Sequence, residues 1–164
     1  RLVRILAEAM KMLWSVDISG CPVDQTPQAK LCRARAIVEA GQVDMDLVDP
    51  RTFGKGGFAS PAELLSWLEE HAPDCDPVLT HGDYCLPNLF LQNRAFSGFL
   101  DLGRSGAGDR WTDIAICWRS LRDNFGGHYG EAVPGFHPDE LFDALGIAKD
   151  EEKLRYYLLM DELF

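Results

Sequence analysis

The sequence predicts a mainly α domain that carries one small β-hairpin. Apolar residues recur at helical spacing over most of the chain, and helix start and stop signals punctuate that pattern. Strand-like runs are confined to residues 78–101.

Leu2, Ile5, Leu6, Met10 and Leu13 share one helical face, so residues 1–14 read as an amphipathic helix. Thr26 followed by Pro27 marks the start of a second helix, and Gly41 falls just past its end. Ser60-Pro61-Ala62-Glu63 is a capping box that opens a third helix, expected to bury Leu64, Leu65, Trp67 and Leu68. Residues 42–59 read as an exposed loop, acidic and then glycine-rich. Gly54-Lys55-Gly56-Gly57 lacks the spacing of a phosphate-cradling loop and is expected to be a flexible connection. Val78-Leu79-Thr80 forms a short strand. Leu89-Phe90-Leu91 and Phe96 to Leu100 flank the turn-rich Gln92-Asn93-Arg94 as a hairpin. Helices are expected again over 112–123, over 138–145 with Gly146 as the stop, and over 150–163.

The 164 residues suffice for one domain with a core of its own, without disulfides or metals. Five scattered cysteines form no CxxC pair and read as free thiols of a reducing cytoplasm. No apolar run is long enough to span a membrane, and no leader is visible. A start at Arg1, already inside a helical pattern, reads as an interior boundary. Asp plus Glu number 26 against 16 Lys plus Arg, for a formal net charge of −10. Such a field repels nucleic acid and anionic membrane and steers polycations inward, although it also suits a merely soluble acidic protein.

The chemistry concentrates at the hairpin. His81-Gly82-Asp83-Tyr84-Cys85-Leu86-Pro87-Asn88 precedes the first strand, and Asp101-Leu102-Gly103 follows the second. Antiparallel pairing makes Asn88 and Asp101 neighbours at the open end. An amide carbonyl and a carboxylate, both hard oxygens, suit Mg²⁺. Asp83, five residues before Asn88, is placed to accept the proton of a nucleophilic hydroxyl, as phosphoryl transfer requires. The spacing H-x-D-x-x-x-x-N with a later D-x-G matches a kinase catalytic loop. His81 is assigned to holding the loop through backbone hydrogen bonds. Asp161 and Glu162 end the last helix with the wrong charge for its dipole, which fits either a cationic ligand that supplies the missing charge or a frayed, solvated end.

His81 to Asn88, Phe96 to Arg104, Asp109-Arg110-Trp111-Thr112-Asp113-Ile114-Ala115 and the ending Asp161-Glu162-Leu163-Phe164 together resemble the aminoglycoside 3′-phosphotransferase family. The likeness runs with gaps from about Cys21 to Phe164, and that ending separates it from choline, homoserine and fructosamine kinases. The resemblance implies the C-terminal lobe of a protein-kinase-like α+β fold, spanning 1–164, with the N-terminal lobe absent. It implies ATP and Mg²⁺ as cofactors, an aminoglycoside as substrate, transfer to its 3′-hydroxyl, and a cytoplasmic resistance enzyme without nucleic-acid or membrane partners. Asp83 would be the base, Asn88 and Asp101 the magnesium ligands, and Asp113 a buried brace under the loop. Asp161, Glu162, Phe164, Arg104, Arg119 and Asp123 would contact the antibiotic. An acidic-loop residue would join them, with Asp49 the best match and Asp44 and Asp46 competing. Asp123 shortens a Glu that some members carry, and Leu86 replaces an Asp, so the antibiotic spectrum stays open. So do two other readings, a kinase of another amino-bearing small molecule and a non-catalytic lobe that binds cations. Because the Gly-rich strand and its lysine are missing, the fragment alone is expected to turn over little.

Overall fold

The computed structural model describes all residues, 1–164. Its helices are α1 (Leu2–Trp14), α2 (Pro27–Glu39), α3 (Pro61–Glu70), α4 (Arg110–Phe125), α5 (Glu140–Leu145) and α6 (Glu151–Asp161). Its strands are β1 (Asp24–Gln25), β2 (Pro77–Thr80), β3 (Leu89–Gln92), β4 (Ala95–Phe99) and β5 (Gly106–Asp109).

The helices begin where capping chemistry allows. Thr26 Oγ1 accepts the Ala29 amide at 3.4 Å, with Pro27 at the first helical position. Ser60 Oγ accepts the Glu63 amide at 3.2 Å, while the Glu63 carboxylate reaches back to the Ala59 amide. Gly41, at φ +64, closes α2 in the left-handed conformation that glycine adopts without strain. The buried face of α1 carries Val3, Leu6, Met10 and Leu13. It meets Leu64 and Leu68 of α3, Ile114 and Leu121 of α4, Leu141 and Phe142 of α5, and Leu154 and Met160 of α6 in one apolar core.

Two sheets replace the single hairpin expected. β3 and β4 pair antiparallel, with Leu89 opposite Phe99 and an irregularity between Phe90 and Leu91. The other sheet has the order β1-β5-β2, with β1 parallel and β2 antiparallel to β5. β5 reads Gly-Ala-Gly-Asp and carries no strand signal. A Cβ on Gly108 would stand 2.7 Å from the Gln25 carbonyl oxygen, and one on Gly106 would stand 2.7 Å from that of Val23. Glycine is there to let β1 approach, a requirement set by distant residues.

Other expectations shift locally. α4 starts two residues earlier than expected and ends two later, because the Asp109 carboxylate caps it, accepting the Trp111 amide at 2.7 Å. α5 begins at Glu140 and α6 spans 151–161. Trp67 is only half-buried; it stacks on His71 with ring centroids 4.4 Å apart and takes the Arg155 guanidinium on its face. The Gly54–Gly57 segment is a hydrogen-bonded turn, with Gly54 N–H donating to Phe58 O at 3.0 Å and Phe58 N–H to Thr52 O at 2.8 Å. Thr52 is buried beneath it. All five cysteines are free. No helix is long and apolar enough to cross a membrane.

Candidate active site

Residues 81–88 connect β2 to β3 as a loop held from several sides. Tyr84 is fully buried and donates its hydroxyl to the Leu6 carbonyl at 2.7 Å, which anchors the loop in α1. Ser120 of α4 accepts the Leu86 amide at 3.0 Å. Gly82, at φ +86, lies against the Arg104 backbone. A Cβ there would come within 2.7 Å of the Arg104 carbonyl carbon and side chain.

Asp113 lies in the first turn of α4, fully buried, and points back at the loop. Its carboxylate accepts the amides of His81 at 2.7 Å and Gly82 at 2.9 Å. Burial pushes its pKa up to about 6, against the pull of those two amides and of Lys30. His81 uses both ring nitrogens on the backbone. One meets the Leu100 carbonyl at 2.9 Å, and the other accepts the Asp83 amide at 3.3 Å. Burial lowers its pKa, so the ring is the neutral tautomer that bridges loop and hairpin.

Asn88 and the end of β4 meet at the mouth of the hairpin, where the Leu100 amide donates to Asn88 O at 2.8 Å. The Asn88 amide nitrogen donates to the Asp83 carboxylate at 2.9 Å and to the Asp83 carbonyl at 3.0 Å. That pairing fixes the amide and leaves its oxygen free. Asp101 follows at φ +53, exposed to solvent. The loop and hairpin thus bring Asp83, Asn88 and Asp101 to one end of the ribbon. No three His, Cys, Asp or Glu side chains form a metal cluster.

A cavity of about 1010 Å³ has Arg104 in its wall. Its wall includes Asp49, Arg104, Arg119, Asp123, Asp161, Glu162 and Phe164, every residue expected to contact the antibiotic. Asp44 also lines it; Asp46, Asp83, Asn88 and Asp101 do not. One of the acidic residues at the end of α6 already has cations of its own. Asp161 pairs with both Arg119 and Arg104, the latter at 3.4 Å. The Glu162 carboxylate accepts the Asp49 amide at 2.8 Å, and burial raises its pKa. The guanidinium of Arg51 holds Asp49 down to about 2. The two arginines expected to touch substrate therefore orient Asp161. Asp123 accepts from Arg122 at 2.7 Å.

Sequence reasoning missed His128 and Tyr129, which line the cavity beyond α4 with rings 4.6 Å apart in edge contact. It also missed Tyr84 and Lys30, whose burial is set by tertiary packing. Tyr84 stands inside the quoted motif, and a tyrosine between polar neighbours was the signal available.

The chain is 35% identical over 164 residues to an aminoglycoside 3′-phosphotransferase of Enterococcus faecalis, covering all of this chain and 59% of that protein. It is 39% identical over 163 residues to one from Niallia circulans, covering 99% of this chain and 58% of that protein. The solved structure of aminoglycoside phosphotransferase APH(3″)-Id from Streptomyces rimosus superposes with a TM-score of 0.83 at 27% identity, over 98% of this chain and 60% of that one. The chain thus spans about three-fifths of the length of the relatives it matches. The model of the phosphotransferase enzyme family matches residues 1–141. With the fold and the His81–Asn88 loop in place, the chain belongs to the phosphotransferase enzyme family.

Proposed function

We propose that this chain is the C-terminal lobe of an ATP-dependent kinase that phosphorylates the 3′-hydroxyl of an aminoglycoside antibiotic. The single observation that carries the reading is the Asp83–Asn88 hydrogen bond beside Asp101, next to an acid-rich cavity.

Asp83 is the base. It accepts the proton of the attacking hydroxyl, and the Asn88 amide holds its carboxylate in one orientation. The donor set fits magnesium, since the Asn88 oxygen is unengaged and the Asp101 carboxylate is exposed at the same end of the ribbon. Asn88 and Asp101 would hold the ion, which when bound neutralises charge on the phosphates. His81 and Asp113 keep the loop in shape. Asp161, Glu162, Asp49, Asp123 and Phe164 present the polar wall against which an amino sugar is oriented, with Arg104 and Arg119 fixing Asp161. The relatives named for 3′ transfer support that hydroxyl as the acceptor.

The experiment is Asp83→Asn in the full-length protein containing this chain, assayed for kanamycin phosphorylation and kanamycin binding. Turnover should fall ~10²-fold or more while binding persists. Undiminished turnover would remove Asp83 from its role. Binding without magnesium-dependent turnover in the unsubstituted protein would favour a non-catalytic lobe.

A further inference from the structure

Asp49 and Arg51 lie two residues apart in the loop that joins α2 to α3, and both line the cavity. The guanidinium engages both carboxylate oxygens, Nε with Oδ1 at 3.0 Å and a terminal nitrogen with Oδ2 at 2.6 Å. Asp49 is fixed by its backbone surroundings as well. Its carboxylate accepts the Arg51 amide at 2.9 Å, and its own amide donates to Glu162, at the end of α6, at 2.8 Å. The carboxylate is thus held at the cavity wall, while its cation is free to leave. The Arg51 side chain is 78% exposed, against at most 50% for the arginines paired with Asp161 and Asp123. An ion pair so open to water is weak, and another cation can displace it. The same two residues also line an adjoining cavity of about 480 Å³, with Thr52, Phe58 and Leu158, into which a displaced side chain can turn.

We propose that Arg51 is a specificity-determining residue, a built-in cation that occupies the Asp49 carboxylate until an amino group of the ligand takes its place. That the ligand is an amino sugar rests on the phosphotransferase reading; the competition between Arg51 and an incoming cation does not. A guanidinium that satisfies both carboxylate oxygens is a stronger partner than a neutral hydroxyl. A ligand that presents only a hydroxyl to Asp49 therefore gains too little to displace it. A ligand that presents an ammonium exchanges one ion pair for another and is admitted. Arg51 lowers the affinity for both kinds, but it penalises the hydroxyl more, and that difference is the selection.

The test is a double-mutant cycle in the full-length protein containing this chain, read by calorimetric titration with kanamycin and with spermidine, a polyamine that has no hydroxyl to phosphorylate. Arg51 is exposed, so its truncation leaves the core intact. Arg51→Ala should tighten the binding of both probes roughly threefold, and Arg51→Lys, which keeps a competing cation, should tighten it less. In an Asp49→Asn background, Arg51→Ala should change neither affinity. Equal tightening with and without the Asp49 carboxylate overturns the proposal, because loss of positive charge from the wall would then be the cause. Equal tightening by Arg51→Lys overturns it too, since bulk rather than charge would be responsible. Unchanged affinity in Arg51→Ala does the same, as does failure of both probes to bind. If spermidine alone binds and follows the expected cycle, the kinase reading fails and the competition at Asp49 stands.

Discussion

Gly82 and Asp113 together determine the shape of the residue 81–88 loop. The first is confined to glycine by φ +86 and by the Arg104 backbone behind it. The second supplies two acceptor oxygens from the start of α4, where the helix dipole favours a carboxylate. Asp113 also carries a pH signature. Its folded pKa, about 6, stands above the ordinary 3.8, so the fold binds its proton more tightly than the unfolded chain does. The stability it contributes is present below about pH 4 and lost as pH rises through about 6. Asp113→Asn does not titrate. The unsubstituted chain should therefore lose on the order of 3 kcal/mol relative to Asp113→Asn between acid and neutral pH, read by denaturant unfolding. Asp49 has the opposite sign. Held near about 2, it contributes stability above about pH 4 that is lost as pH falls toward 2, a separate window.

At the scale of elements, β5 is where a substitution should separate packing from propensity. Gly108→Val raises strand propensity, yet its side chain would collide with Gln25 of β1. Gln25 also donates to the Arg104 carbonyl at 2.9 Å, on the backbone that Gly82 leans against. Displacing β1 should thus lower the melting temperature and loosen the loop, seen as faster exchange of the Gly82 amide. A rise in melting temperature would show that propensity governs the strand. The same element explains what could be read in advance. Asp83, Asn88 and Asp101 are legible because one loop and one hairpin bring them together, and local spacing fixes such a geometry. The caps at Thr26 and Ser60 are legible for the same reason. β1 and β5 are not, since two short segments about eighty residues apart select each other by close approach. The ion pairs of Asp161 escape notice likewise, because Arg104 and Arg119 come from different elements.

Over the whole molecule, acidic residues outnumber Lys and Arg, and the formal net charge is −10. The cavity is more balanced than that sum suggests, because Arg51, Arg104, Arg119 and Arg122 share its wall with Asp44, Asp49, Asp123, Asp161 and Glu162. Local pairing cancels much of the near field, and what remains for a polyamine is the excess of carboxylates and the field of the whole chain. Such an attraction is screened by salt on the scale of the Debye length, ~10 Å at 0.1 M. Kanamycin affinity, measured calorimetrically on this chain, should therefore weaken by roughly tenfold between 0.05 and 0.5 M NaCl. Arg104→Ala should free Asp161 from one partner and make that dependence steeper. If affinity is the same at both salt concentrations, recognition rests on shape and neutral hydrogen bonds, and the acidic wall of the cavity has another purpose.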